Sequence, residues 1–177
     1  MNSMTKILLT LMLVMGLAAC KKDEVKDDVD SATIVDNTDA NDVTTTAAVN
    51  PRNHTDARNL DNPESLLSKR VIYFDYDQST VRAEFRPVVA AHAEYVAANA
   101  SASVTLEGHA DERGSREYNL ALGERRGNSV SGLFSAQGVR GSQLTVVSYG
   151  EERPICRETS DSCWGRNRRV EIVYTAR

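Results

Sequence analysis

The sequence predicts an α/β fold, an α+β sandwich with helices packed on one mixed sheet in the order β-α-β-α-β-β. Three observations carry this. Short apolar, β-favouring runs recur after residue 70, and segments of helical period separate the first three of them. The stretch from Pro63 to Arg177 holds fifteen acidic and fifteen basic residues, so it is an electrically balanced unit of ordinary single-domain size. Interleaved strands and helices favour helices laid against a sheet, with strands joined through helices running parallel.

Each element has a local reason. Val71-Ile72-Tyr73-Phe74 is an apolar run stopped by the polar DYDQS, which predicts a buried strand. From Ala83 to Ala98 the chain is Ala-rich, with Phe85, Val88, Val89, His92, Tyr95 and Val96 at helical spacing. Pro87 sits in the first turn, where a missing N–H costs little. Ser103 to Glu107 alternates as a strand does. Ser115 suits the N-cap of a long helix ending near Gln137, and Gly138 suits its stop. Leu144–Tyr149 and Val170–Tyr174 complete the strands.

The N-terminal part reads differently. Lys6 precedes a 13-residue apolar run, Ile7 to Ala19, too short to span a bilayer but suited to a signal peptide over residues 1–19. The run closes on Leu17-Ala18-Ala19-Cys20, which resembles the bacterial lipobox. That resemblance implies acylation of Cys20, with palmitate-type chains, and cleavage just before it. Each buried CH₂ adds about 0.8 kcal/mol, so three chains would anchor the protein firmly. Residue 21 is Lys, whereas Asp there signals inner-membrane retention; this points to the outer membrane, on its periplasmic face. From Lys21 to Asn62 there are ten acidic and five basic residues and few large apolar ones, so residues 20–62 are expected to be a lipidated Cys and a disordered acidic tether. Such a coil spans on average roughly 35 Å. The folded domain is expected over residues 63–177.

Composition excludes several classes. The formal charge is −4, the pI is near 5.4 and aromatics make up 6%, which argues against a nucleic-acid partner. His109 lacks a second His at ligand spacing, and His54 and His92 do not supply one, so neither a metal nor a cofactor is expected. His92, on an apolar helical stripe, reads as a half-buried packing residue. The serines lack a nucleophile-elbow context, so no catalytic residue is expected.

The stretch Gly108 to Asn119, GHADERGSREYN, lies between a strand and a helix, where loops carry function, and five of its twelve residues are charged. On the helix that follows, Leu122, Val130, Leu133 and Phe134 form an apolar stripe, and Arg126 falls on it four residues from Leu122 and from Val130. A partly buried Arg needs a partner, and Asp111 is the candidate. Two readings stand at this point. The two residues neutralise each other, or they present opposite charges to a zwitterion, Asp taking an ammonium and Arg a carboxylate. Cys156 and Cys163 are seven apart, and in an exported chain such a pair predicts a disulfide. Arg166, Arg168 and Arg169, just before the last strand, suit carboxylate or glycan contacts, or plain salt bridges.

FDYD (74–77), GHADERGSREYN (108–119), LGERRGNSV (122–130), VVSYGEERP (146–154) and NRRVEIVY (167–174) stand in an order and spacing that resemble the peptidoglycan-associated lipoproteins. The globular part of that family is an OmpA-like C-terminal domain. The resemblance implies a non-enzymatic protein that binds peptidoglycan through the meso-diaminopimelate of the stem peptide and tethers the outer membrane to the wall. It implies Asp111 on the ammonium, Arg126 on the carboxylate, the backbone at Phe74 and Asp75 lining the pocket, and Arg113 and Asn119 assisting. It also implies TolB and other Tol-system proteins as partners, with a role in envelope integrity and in constriction at division. Gly127 stands where the family often has Ala, which is expected to loosen the helix slightly. The alternatives are a peptidoglycan-cleaving lipoprotein, for which Glu112 and Glu117 are the nearest carboxylates although both read as surface charges, and a periplasmic adaptor that binds mainly protein.

Overall fold

The computed structural model describes residues 49–177. Seven main elements follow in order: β1 (Val71–Tyr73), α1 (Arg86–Ala98), β2 (Ser103–His109), α2 (Arg116–Ala136), β3 (Leu144–Gly150), α3 (Asp161–Asn167) and β4 (Arg169–Ala176). Short 3₁₀ turns lie at Ala57–Leu60, Leu66–Ser68, Ala83–Phe85 and Gly141–Gln143. The expected lipidated Cys20, the signal peptide and most of the tether lie outside the described residues.

One mixed sheet runs β1-β4-β2-β3. The crossover through α2 makes β2 and β3 parallel, as strands joined through a helix tend to be. The last strand, β4, inserts antiparallel between β1 and β2, which the order of elements alone does not reveal. Along β2 burial alternates, Val104 and Leu106 facing the core. Val170 and Ile172 do the same on β4. Helix α2 lies on β2 and β3, and α1 packs beside it, giving the two-layer sandwich. The core gathers Ile72, Phe74, Val89, Tyr95, Val96, Leu106, Val130, Phe134 and Ile172.

The α2 ends are as expected. The Ser115 side chain accepts from Tyr118 N, and Gly138 takes φ +88° just past the helix. Three glycines let α2 lie close to the sheet. A Cβ on Gly108 would stand 1.9 Å from the Gly123 carbonyl oxygen. A Cβ on Gly127 would stand 2.6 Å from Val146 Cγ1. Gly127 is therefore a contact that brings α2 onto β3, and not only the loosening expected of a helical glycine.

Three further differences have physical causes. The folded part begins before Pro63: Leu60 is in the core, and buried Asn59 donates at 2.7 Å to the carbonyls of Asn50 and Asn53. Residues 50–62 are polar, but Asn59 ties the segment together internally. Leu60 in the core, Arg70 Nη2 on the Leu60 carbonyl at 2.8 Å and His54 Nδ1 on Glu94 Oε2 at 2.9 Å dock it. Helix α3 has no apolar period to announce it; its sequence is DSCWGRN. His92 is fully buried and not half-buried, because both ring nitrogens find partners: Tyr174 Oη at 2.8 Å and the Lys69 carbonyl at 3.1 Å. That burial pulls its pKa down to about 4.

Candidate functional site

At the C-terminal end of β2 the register shifts between Gly108 and His109, so that His109 pairs with Gly150. Bulges of this kind re-aim the residues that follow. Ala110 N still donates to the Gly150 carbonyl at 2.8 Å. Beyond that bond the chain leaves the sheet, and Asp111 turns into a pocket of about 160 Å³. Tyr76, Asp77, Asp111, Arg113, Asn119 and Arg126 are among its lining residues, with Gly114, Tyr118 and Leu122.

Arg126 is brought there by α2. On successive turns the helix buries Asn119, Leu122, Gly123, Arg126, Gly127, Val130 and Phe134. Arg126 is buried, and it reaches solvent only where it lines the pocket. Its Nε donates to the Gln78 carbonyl at 2.8 Å, Nη1 to the His109 carbonyl at 2.8 Å and Nη2 to the Asp75 carbonyl at 3.1 Å. Its Cζ stands 5.3 Å from the Phe74 ring centroid. A guanidinium has five N–H donors, so one on each terminal nitrogen remains. Burial draws its pKa down to about 10, Arg168 adds to this, and Asp111 and Asp77 oppose it; the group stays cationic at neutral pH.

The sequence left open whether Asp111 and Arg126 neutralise each other. They form no direct ion pair. Asp111 Oδ1 accepts from Arg113 N at 3.2 Å and from Arg113 Nε at 3.0 Å, and Oδ2 accepts from Arg113 Nη2 at 2.8 Å. Arg168 Nη1 adds a further bond to Oδ2 at 3.2 Å, while its Nε donates to the Phe74 carbonyl at 3.1 Å. Burial pushes the Asp111 carboxyl upward, but the hydrogen bonds from Arg113 and Arg168 outweigh it and hold the pKa below the usual carboxylate value. The buried Arg126 is thus held by backbone carbonyls, which are neutral, and keeps its charge for whatever enters the pocket.

The other expected residues divide. Arg113 is at the site. Asn119 is there too, its Nδ2 donating to Glu151 Oε2. Phe74 and Asp75 lie beneath it: the Phe74 ring underlies Arg126 and the Asp75 backbone carbonyl orients it, while the Asp75 carboxylate turns away to Arg82. The lining of this strand exit comes instead from Tyr76 and Asp77. Asp77 takes φ +56°, a conformation that Asp tolerates better than most residues, and accepts from Tyr118 Oη. Sequence reasoning did not single out Tyr76, Asp77 and Tyr118; the one signal was that all three fall inside the motifs at residues 74–77 and 108–119. Of Arg166, Arg168 and Arg169, Arg168 reaches Asp111, and Arg169, which opens β4, pairs through Nε with Glu171 Oε1 at 2.6 Å. Glu112 is not a bare surface charge, because Oε1 accepts from Trp164 Nε1 at 2.9 Å and from Thr159 Oγ1 at 3.2 Å. Cys156 and Cys163 form the expected disulfide. Among the described residues, no group of three or more His, Cys, Asp or Glu side chains is placed to hold a metal ion.

Comparison with known proteins adds to this geometry. Residues 73–168 match the OmpA family. A peptidoglycan-associated lipoprotein of Legionella pneumophila is 48% identical over 103 residues, 58% of each chain. One of Pseudomonas putida is 44% identical over 113 residues, 64% of this chain and 68% of that one. The chain therefore spans little more than half the length of the first of these relatives. Among solved structures, the peptidoglycan-associated lipoprotein of Burkholderia pseudomallei superposes with a TM-score of 0.64 at 37% identity, covering 66% of this chain and 98% of that one. The C-terminal domain of Helicobacter pylori MotB, at 20% identity and a TM-score of 0.56, shares the fold.

Proposed function

This chain belongs to the OmpA family, and within it to the peptidoglycan-associated lipoproteins, a family of binding proteins and not enzymes; from that premise we propose that it grips peptidoglycan non-covalently and tethers the outer membrane to the wall. The ligand is the free end of meso-diaminopimelate in the stem peptide, which carries an ammonium and a carboxylate. One observation carries the reading: a fully buried guanidinium at a pocket floor, satisfied on three sides by neutral carbonyls. A carboxylate entering the pocket meets the two remaining N–H donors of Arg126, where a planar fork offers bidentate contact. Exclusion of water strengthens that contact. Asp111, and Asp77, which also lines the pocket, stand ready for the ammonium.

Acylated Cys20 anchors the chain on the periplasmic face of the outer membrane, and the acidic residues after it give the domain reach. The Tol system, with TolB competing for an overlapping surface, is the protein partner in this reading, which ties the tether to envelope integrity and division. Calorimetric titration of the purified protein with a diaminopimelate-containing stem peptide, against a Lys-containing one, tests the pocket. Saturable binding of the first alone is expected. Equal binding of both, or of neither, refutes the assignment. Asp111→Asn should weaken the first.

A further inference from the structure

Asp111 is the acidic half of the pocket, and what orients it is Arg113, which grips both carboxylate oxygens. Something must in turn hold Arg113, a long side chain whose residue is only half-buried. Its Cζ lies 4.1 Å from the Tyr76 ring and 4.1 Å from the Trp164 ring. Contact with two aromatic rings favours a cation at this spot and leaves the guanidinium edge free for hydrogen bonds. That edge carries the bonds to Asp111, and Nη1 makes none to protein among the described residues.

Trp164 does not stand on a strong helix. Helix α3 has seven residues, too few to persist alone. It is pinned from several sides. The Ser160 hydroxyl accepts from Cys163 N, the disulfide ties Cys163 to Cys156, and buried Asn167 bonds Ile155 N, Cys156 N and the Cys156 carbonyl. The indole itself is oriented by its N–H bond to Glu112, which neighbours both Asp111 and Arg113.

We propose that Trp164 is a positioning residue of the ligand site: with Tyr76 it clamps Arg113 in the orientation that holds the Asp111 carboxylate in place, and the disulfide-closed α3 is the mount that holds the clamp. This rests on reading the pocket as the stem-peptide site. It assigns a binding role to α3, a segment outside the residues that form the pocket wall. It also makes Arg113 Nη1 a further donor for a ligand carboxylate.

The test uses the purified protein and three variants, Trp164→Ala, Trp164→Leu and Trp164→Tyr. Two quantities are read: the protonation midpoint of Asp111 by carboxyl ¹³C NMR, and affinity for the diaminopimelate-containing stem peptide. Leu keeps apolar bulk without a ring face, and Tyr keeps the face without the indole N–H. In Ala and Leu the Asp111 midpoint is expected to rise toward the ordinary carboxylate value, with peptide affinity falling roughly tenfold. Tyr is expected to restore both. An unchanged Asp111 midpoint in the Leu variant overturns the proposal, whatever the peptide does. Failure of the wild-type protein to bind the peptide instead removes the function reading, while the Asp111 midpoint still decides the role of Trp164.

Discussion

Replacing His109 with Phe should make the protein resistant to mild acid. The imidazole is almost fully buried against the Tyr149 ring, whose centroid lies 5.5 Å away, and neither ring nitrogen has a hydrogen-bond partner. The nearest carboxylate oxygen, Glu171 Oε1, stands 4.0 Å from Nε2 and is already taken by Arg169. Burial, reinforced by Arg169 and Arg153 and only partly opposed by Glu171, pulls the His109 pKa from 6.5 to about 4. A group with a lowered folded pKa contributes stability that is complete above its unfolded pKa. That contribution is lost as pH falls, because the unfolded chain takes up the proton first. The window here runs from about pH 6.5 to about pH 4. At about pH 4.5 the loss from His109 alone comes to ~2.5 kcal/mol, against a few tenths at about pH 7. Phe cannot titrate, so the stability difference between variant and wild type should widen by ~2 kcal/mol in favour of the variant between those two pH values. His92, with its own lowered pKa, titrates in both proteins and cancels. The His109 backbone carbonyl continues to accept from Arg126. Urea unfolding at about pH 7 and about pH 4.5 measures the effect. A difference between the two proteins that is the same at both pH values refutes the reasoning.

Other substitutions probe the rest of the architecture. Arg126→Met strands the carbonyls of Asp75, Gln78 and His109, and should cost at least ~3 kcal/mol in urea unfolding together with all stem-peptide binding. Gly127→Ala gains helix propensity but drives a methyl into Val146 Cγ1, so a net loss of about 1 kcal/mol is expected. The double variant with Val146→Ala should recover part of that loss, and a double-mutant cycle reads the coupling. Removing the Cys156–Cys163 disulfide by paired Ser substitutions should lower stability by about 2–3 kcal/mol, measured by thermal unfolding, since the closed loop is short.

The four strands, α1 and α2 were legible because each has a local physical signature: β-favouring runs, an Ala-rich helical period, and a Ser–Gly pair bounding α2. Arg126 on the buried face of α2 was legible for the same reason, since helical spacing places it, whereas Asp111, in the loop beyond β2, was singled out only as the acidic residue able to partner a buried Arg. The motifs also pointed to the family. Local signals do not extend to partners distant in sequence. Arg113, two residues on, is a local partner of Asp111. That Arg168 also holds Asp111, however, depends on β4 inserting between β1 and β2, which brings Arg168 beside Phe74. Arg126 likewise meets the carbonyls of residues distant in sequence, Asp75 and Gln78. Docking of Leu60, formation of α3 and placement of Trp164 over Arg113 likewise follow from contacts across the fold and have no periodicity to betray them. The sequence by itself determined the four strands, α1 and α2, and which charges a buried face must accommodate. Only the tertiary structure decided which groups satisfy those charges, because a buried polar group takes whatever partner the packed chain brings within reach.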